Sequence, residues 1–78
     1  MLLDIITPDQ KLYSGEVTSI VLPGIDGELG VLNNHAPLIT ALKEGTINII
    51  KETGENEAFE TKGGIVEVLN NKVIVLAE

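Results

Sequence analysis

An all-β fold follows from three features of this 78-residue chain. Short apolar-rich runs alternate with turn signals built on glycine, proline and asparagine. Isoleucine and valine dominate the apolar inventory, and both suit a pleated, half-buried surface. Tyr13 and Phe59 are the only aromatic residues, so aliphatic side chains must fill the core. Short strands at close spacing predict one domain over residues 1–78, an antiparallel β-sandwich or flattened barrel.

The strands can be taken in order. Residues 2–7 form the first, closed by Pro8-Asp9. Residues 15–22 form the second, with Val17, Ser19 and Val21 expected on one face and Thr18, Ile20 and Leu22 on the other; Pro23-Gly24 ends it. Residues 30–32 read as a brief third strand. Residues 36–45 read two ways. Pro37 near the start, Lys43 near the end and a closing Gly45 suit a short helix. The alternation of Leu38, Thr40 and Leu42 against Ile39 and Ala41 suits a strand. Residues 46–51 alternate clearly, with Ile47 and Ile49 on one face, and the polar run 52–56 reads as a hairpin loop. Residues 58–62 follow with Phe59 and Thr61 together, then a Gly63-Gly64 bend. Residues 65–69 and 72–77 form the clearest hairpin, because Asn70-Asn71 tolerates the positive φ angles of a type I′ turn. Several runs are apolar on both faces, as expected where one side meets the core and the other a partner.

Charge narrows the choice of partner. Twelve acidic residues against five lysines give a formal net charge of −7. Such a surface is repelled by phosphate backbones and anionic headgroups, so no nucleic-acid partner and no direct lipid insertion is expected. A basic protein surface is the electrostatic complement. There is no cysteine, which removes disulfides and thiolate chemistry. The N-terminal run lacks the basic start of a signal peptide, and no apolar run approaches the roughly 20 residues of a membrane helix.

Catalytic chemistry finds little purchase. His35 is the only imidazole, and a zinc site would need carboxylates gathered from scattered positions. Neither Ser14 nor Ser19 lies in a nucleophile turn. Gly24, Gly27 and Gly30 recur at three-residue spacing but match no phosphate-binding fingerprint; they suit tight turns. Asp26 and Glu28 lack the alternating ligands of a calcium loop. No catalytic residue, cofactor or metal is expected. His35 is read as a local hydrogen-bonding residue before Pro37 or as part of an interface. Glu28, flanked by glycines, is read as a solvated acid or as a charge aimed at a cationic partner.

The run G-E-L-G-V-L-N-N-H-A-P-L-I-T-A-L-K-E-G, residues 27–45, resembles the N-terminal domain of the epsilon subunits of bacterial F-type ATP synthases. Leu3-Asp4-Ile5-Ile6-Thr7-Pro8, Tyr13-Ser14-Gly15-Glu16-Val17, Gly63-Gly64-Ile65-Val66-Glu67-Val68 and the closing 73–77 strand carry the likeness along the whole chain. The resemblance implies a sandwich of about ten strands, with 37–42 mostly strand. It implies a non-catalytic rotor role in the central stalk. The partners would be the gamma subunit and the c-ring, and proton-driven rotation would be coupled to ATP synthesis. Ile25, Asp26, Gly27, Glu28, Leu29 and Gly30 would then meet the c-ring. Thr7, His35, Ala36, Pro37, Leu38 and Thr40 would face gamma. The expected location is peripheral, on the cytoplasmic face of the bacterial inner membrane, with a monomer when isolated and one copy per complex. The helical pair that follows this domain in most members has no counterpart in these 78 residues, so neither a helical hairpin nor an ATP site is expected. A free-standing sandwich that binds a ligand or another protein is the alternative.

Overall fold

The computed structural model describes all residues 1–78. Eight strands make up the chain: β1 (Leu2–Ile6), β2 (Lys11–Gly24), β3 (Gly27–Leu32), β4 (Leu38–Leu42), β5 (Gly45–Lys51), β6 (Asn56–Thr61), β7 (Gly64–Leu69) and β8 (Lys72–Ala77). They hydrogen-bond in the order β1-β8-β7-β4-β2-β5-β6, with β3 added to β2. β1 also pairs with β2, and this contact closes the sheet into a flattened barrel. One wall holds β1, β8, β7 and β4. The other holds β3, β2, β5 and β6.

The all-β fold read from the sequence is present, with three corrections. There are eight strands rather than about ten, because β2 runs unbroken for 14 residues and serves both walls. Not every pair is antiparallel: β1 lies parallel to β8. These strands come from opposite ends of the chain, so no tight turn dictates their relative direction. The third correction concerns β2 itself. Val17 is buried, but so are Ile20 and Leu22, while Ser19 and Val21 are only half-buried. The pairing of β2 with β5 slips between Val17 and Ser19. A bulge there adds one residue and inverts which side chains face inward.

The boundaries also move. β2 begins at Lys11 because Tyr13 and Ser14 pair with Ile5 and Asp4 of β1. β3 begins at Gly27, pairing back onto β2 from its first residue. The ambiguous segment is a strand, since all five residues of β4 pair with β7; that ladder outweighs the helical end signals. Asn70 and Asn71 take φ values of 50° and 60°, as the tight β7–β8 turn requires.

Two cross-strand rows line the interior of the first wall. Leu3, Val73 and Val68 form one, and Ile5, Val75 and Val66 the other. Ile20, Leu22, Ile47 and Ile49 face them from the second wall, all essentially inaccessible to solvent. Each such side chain contributes about 1.5–3 kcal/mol through removal from water. The buried hydroxyl of Thr61 donates to the Gly63 carbonyl at 2.6 Å and accepts from the Gly63 N–H at 3.1 Å. This pins the Gly63-Gly64 bend, where both residues hold positive φ.

Gly64 is the most constrained of the glycines. A Cβ there would lie 2.1 Å from the Leu76 carbonyl oxygen, a backbone atom of the paired strand. Gly64→Ala is expected to cost roughly 2–5 kcal/mol through combined strain and overpacking, read as a lower urea midpoint at unchanged slope. A loss below about 0.5 kcal/mol would show that β7 and β8 can separate there without penalty.

Candidate functional site

The β2–β3 hairpin is the first candidate surface. Ile25 and Asp26 form a two-residue turn between Gly24 and Gly27, which oppose each other across the ladder. A Cβ on Gly24 would meet the Gly27 oxygen at 2.6 Å, so the tightness of the turn requires glycine. Two backbone bonds fasten the hairpin to the end of β4: Ile25 N–H donates to Ala41 at 3.0 Å, and Lys43 N–H donates to Pro23 at 2.8 Å. The glycine spacing suits tight turns with a brief strand over 30–32, whereas the strand already begins at Gly27. Ile25, Asp26, Gly27, Glu28 and Gly30 are exposed, whereas Leu29 turns inward onto the core. Glu28 sits opposite Pro23 and borders a shallow depression with Lys43 and Thr46. The ion pairs of the molecule are Met1–Glu16, Lys11–Asp4 and Lys51–Glu57. Glu28 belongs to none of them, so its carboxylate stands free on a stiff support.

The second set of candidate residues does not form one patch. Thr7 follows β1, where its hydroxyl donates to the Gln10 carbonyl at 3.0 Å and accepts from the Gln10 N–H at 3.2 Å. Residues 35–37 lie at the opposite end of the same wall, between β3 and β4. His35 N–H donates to Leu32 at 3.2 Å, and Nδ1 lies 2.7 Å from the Ala36 carbonyl oxygen. Local hydrogen bonding by His35, one of its two readings, is therefore present. Leu38 and Thr40 occupy the inward positions of β4 and are half-buried. They share a depression with Gly24, Ile25 and Leu29, which joins them to the hairpin rather than to Thr7.

The most exposed apolar surface lies outside both sets. It is the outer face of the β4-β7-β8-β1 wall. Ala41, Ile65, Leu76 and Ile6 align across all four strands. Ile39 and Ile74 flank them in the next row, on either side of Glu67. Ile39 is 69% exposed, Leu76 52% and Ile65 48%. A shallow hollow of about 450 Å³ lies between this row and Thr7-Pro8. Contiguous exposed aliphatic residues of this kind mark an interaction surface. The signal lay in the period-two pattern: once Thr40 points inward, Ile39 and Ala41 must point out.

Lys51 lies apart from both surfaces. Its Nζ is 2.8 Å from Glu57 Oε1 and 5.7 Å from the centre of the Tyr13 ring, which in turn packs 5.9 Å from Phe59. The Glu57 hydrogen bond holds the ammonium above its ordinary 10.5, outweighing an opposing desolvation effect. A raised folded value stabilises the fold below the unfolded pKa and ceases to do so as pH rises through the folded one. Lys51→Gln is therefore expected to flatten the alkaline limb of a stability–pH curve, read from urea unfolding across that range.

Residues 1–78 match the family described as the ATP synthase, Delta/Epsilon chain, beta-sandwich domain. The chain belongs to this family. It is 47% identical over 74 residues to an ATP synthase epsilon chain of Dichelobacter nodosus, covering 95% of this chain and 52% of that protein. It is 43% identical over 76 residues to one of Chlorobium limicola, covering 97% and 86%. For one of Desulforamulus reducens the identity is 46% over 76 residues, covering 97% and 57%. The chain thus spans little more than half the length of two of these three curated relatives. Among solved structures, a chain of the Euglena gracilis mitochondrial ATP synthase (OSCP/F1/c-ring) superposes with a TM-score of 0.90 at 22% identity, covering 99% of this chain and 49% of that one. A chain of the Tetrahymena thermophila mitochondrial ATP synthase central stalk and c-ring gives 0.81 at 21% identity, covering 99% and 62%. At that identity the likeness is one of fold, and it extends over the whole sandwich.

If the outer wall serves contact rather than folding, its residues should be thermodynamically cheap. Ile39→Thr is expected to change stability by less than about 1 kcal/mol, whereas Ile5→Ala should cost about 2–5 kcal/mol. Thermal or urea unfolding of both variants measures the contrast.

Proposed function

We propose that this chain is the sandwich domain of a rotor subunit of an F-type ATP synthase. It lies in the central stalk, docks the gamma subunit onto the c-ring and catalyses no step itself. The observation that carries this reading is an unsatisfied aliphatic wall on a fold whose relatives are ATP synthase epsilon chains. A torque-bearing coupling needs a stiff body and surfaces that remain open until a partner covers them. The closed sheet with its interior of β-branched residues meets the first need, and the exposed face of β4, β7, β8 and β1 meets the second.

The two candidate surfaces divide the work. The hairpin that carries Ile25, Asp26, Gly27, Glu28 and Gly30 faces the c-ring, with Leu29 anchoring it from inside. The aliphatic wall faces gamma, bordered by Thr7 at one end and by His35, Ala36 and Pro37 at the other. Leu38 and Thr40 support this contact from the inner side of β4. The domain is peripheral, on the cytoplasmic face of the bacterial inner membrane, and present once per complex. Ion flow turns the ring, the gamma–epsilon foot turns with it, and ATP synthesis follows in the catalytic subunits.

Size-exclusion chromatography of this chain with purified cognate gamma at micromolar concentration tests the core of the reading. Co-elution is expected for the unmodified chain and separate elution for Ile39→Asp. Independent elution of gamma and the unmodified chain would refute the role. For the hairpin, Glu28→Lys is expected to weaken binding to detergent-solubilised c-ring about fivefold at low salt, the factor of one favourable surface charge pair. The deficit should shrink as salt is raised; equal affinity of both chains at low salt would remove Glu28 from the contact.

A further inference from the structure

The connection between β3 and β4 crosses from one wall of the barrel to the other, and it is held from two sides. Asn33 Oδ1 accepts a 2.6 Å hydrogen bond from the α-ammonium of Met1. That ammonium also donates to the Val17 carbonyl at 3.0 Å and lies 3.3 Å from Glu16 Oε2. Met1 itself is only 6% exposed. One residue further on, the Asn34 N–H donates to Asn71 Oδ1 at 2.7 Å, bridging 37 positions of sequence to the β7–β8 turn. Asn34 and Asn71 both hold left-handed φ, 63° and 60°, a conformation that asparagine tolerates. The next three residues are His35, Ala36 and Pro37.

We propose that Asn71 is a positioning residue that holds residues 35–37 in their docking shape. This rests on the rotor reading given above. Its amide oxygen fixes the backbone N–H of Asn34, the residue that immediately precedes His35, and so ties the loop that borders the aliphatic wall to the β7–β8 turn.

Asn71→Gly tests this staple, because glycine keeps the left-handed turn while deleting the acceptor. Asn71→Asp restores an acceptor at the same position. Hydrogen exchange of the Asn34 amide reads the staple directly in the free chain, and gamma affinity reads its consequence. Asn71→Gly is expected to speed Asn34 exchange and weaken gamma binding about fivefold, the equilibrium factor of one hydrogen bond. Asn71→Asp should recover both, with the thermal midpoints of the two variants alike.

Faster exchange with unchanged gamma affinity would overturn the positioning role, as would unchanged exchange in Asn71→Gly. Failure of the aspartate to recover affinity would do the same. Absence of gamma binding by the unmodified chain would sink the rotor reading instead, and this docking role with it, whatever the exchange rates.

Discussion

Strand β2 is the piece on which the architecture turns. It pairs with β1 through its first half, with β5 through its middle and with β3 through its second half. Its last residue, Gly24, also pairs with Leu42 of β4, so the strand serves both walls along its length. To do so it must present Tyr13 and Val17 to the interior early and Ile20 and Leu22 to the interior late, positions of opposite parity. The bulge between Val17 and Ser19 resolves that conflict in one residue. Without it, either the first or the second half of the strand would turn its aliphatic side chains to water. The closure between β1 and β2, and with it the whole barrel, would be lost.

Closure has a mechanical consequence. A closed sheet leaves few edges to fray, and its interior here is almost entirely valine, isoleucine and leucine. Valine and isoleucine are stiff at χ1, and close-packed interiors transmit strain rather than absorb it. The longer connections are also held down. The β2–β3 hairpin is bonded to β4, and the β3–β4 loop to the N-terminus and to the β7–β8 turn. A body built this way is stiff, as the proposed rotor role requires.

Much of this was legible in the residues, for identifiable reasons. The Asn70-Asn71 turn carries its own chemistry, so the β7–β8 hairpin could be read locally. Residues 46–51 alternate cleanly because one face of β5 is buried. Local signals failed where tertiary pairing decided the outcome. The 36–45 segment has both helical ends and strand alternation, and only the ladder to β7 selects the strand. The inversion inside β2 is invisible in a run where both faces are apolar. The glycines of the β2–β3 hairpin all read as turn formers, when two of them flank one tight turn and strand starts at the second. For the surfaces, the family likeness pointed to Thr7, residues 35–38 and Thr40; strand parity places Leu38 and Thr40 inward and Ile39 outward.

Charge and greasiness are segregated, and the separation explains how such a surface stays usable. The aliphatic row from Ala41 to Ile6 lies on the first wall, interrupted in the flanking row by Glu67 and Asp4. The second wall ends in β6, an edge strand carrying Glu57 and Glu60, and the loop before it carries Glu52 and Glu55. Charged side chains on an edge discourage pairing with a further strand. The net charge of −7 opposes the pairing of two copies of the chain, since bringing two aliphatic walls together also brings two acidic bodies together. A neutral or basic partner meets no such opposition and gains the full apolar contact. The same acidity that works against self-association therefore favours a different protein as the occupant of the wall.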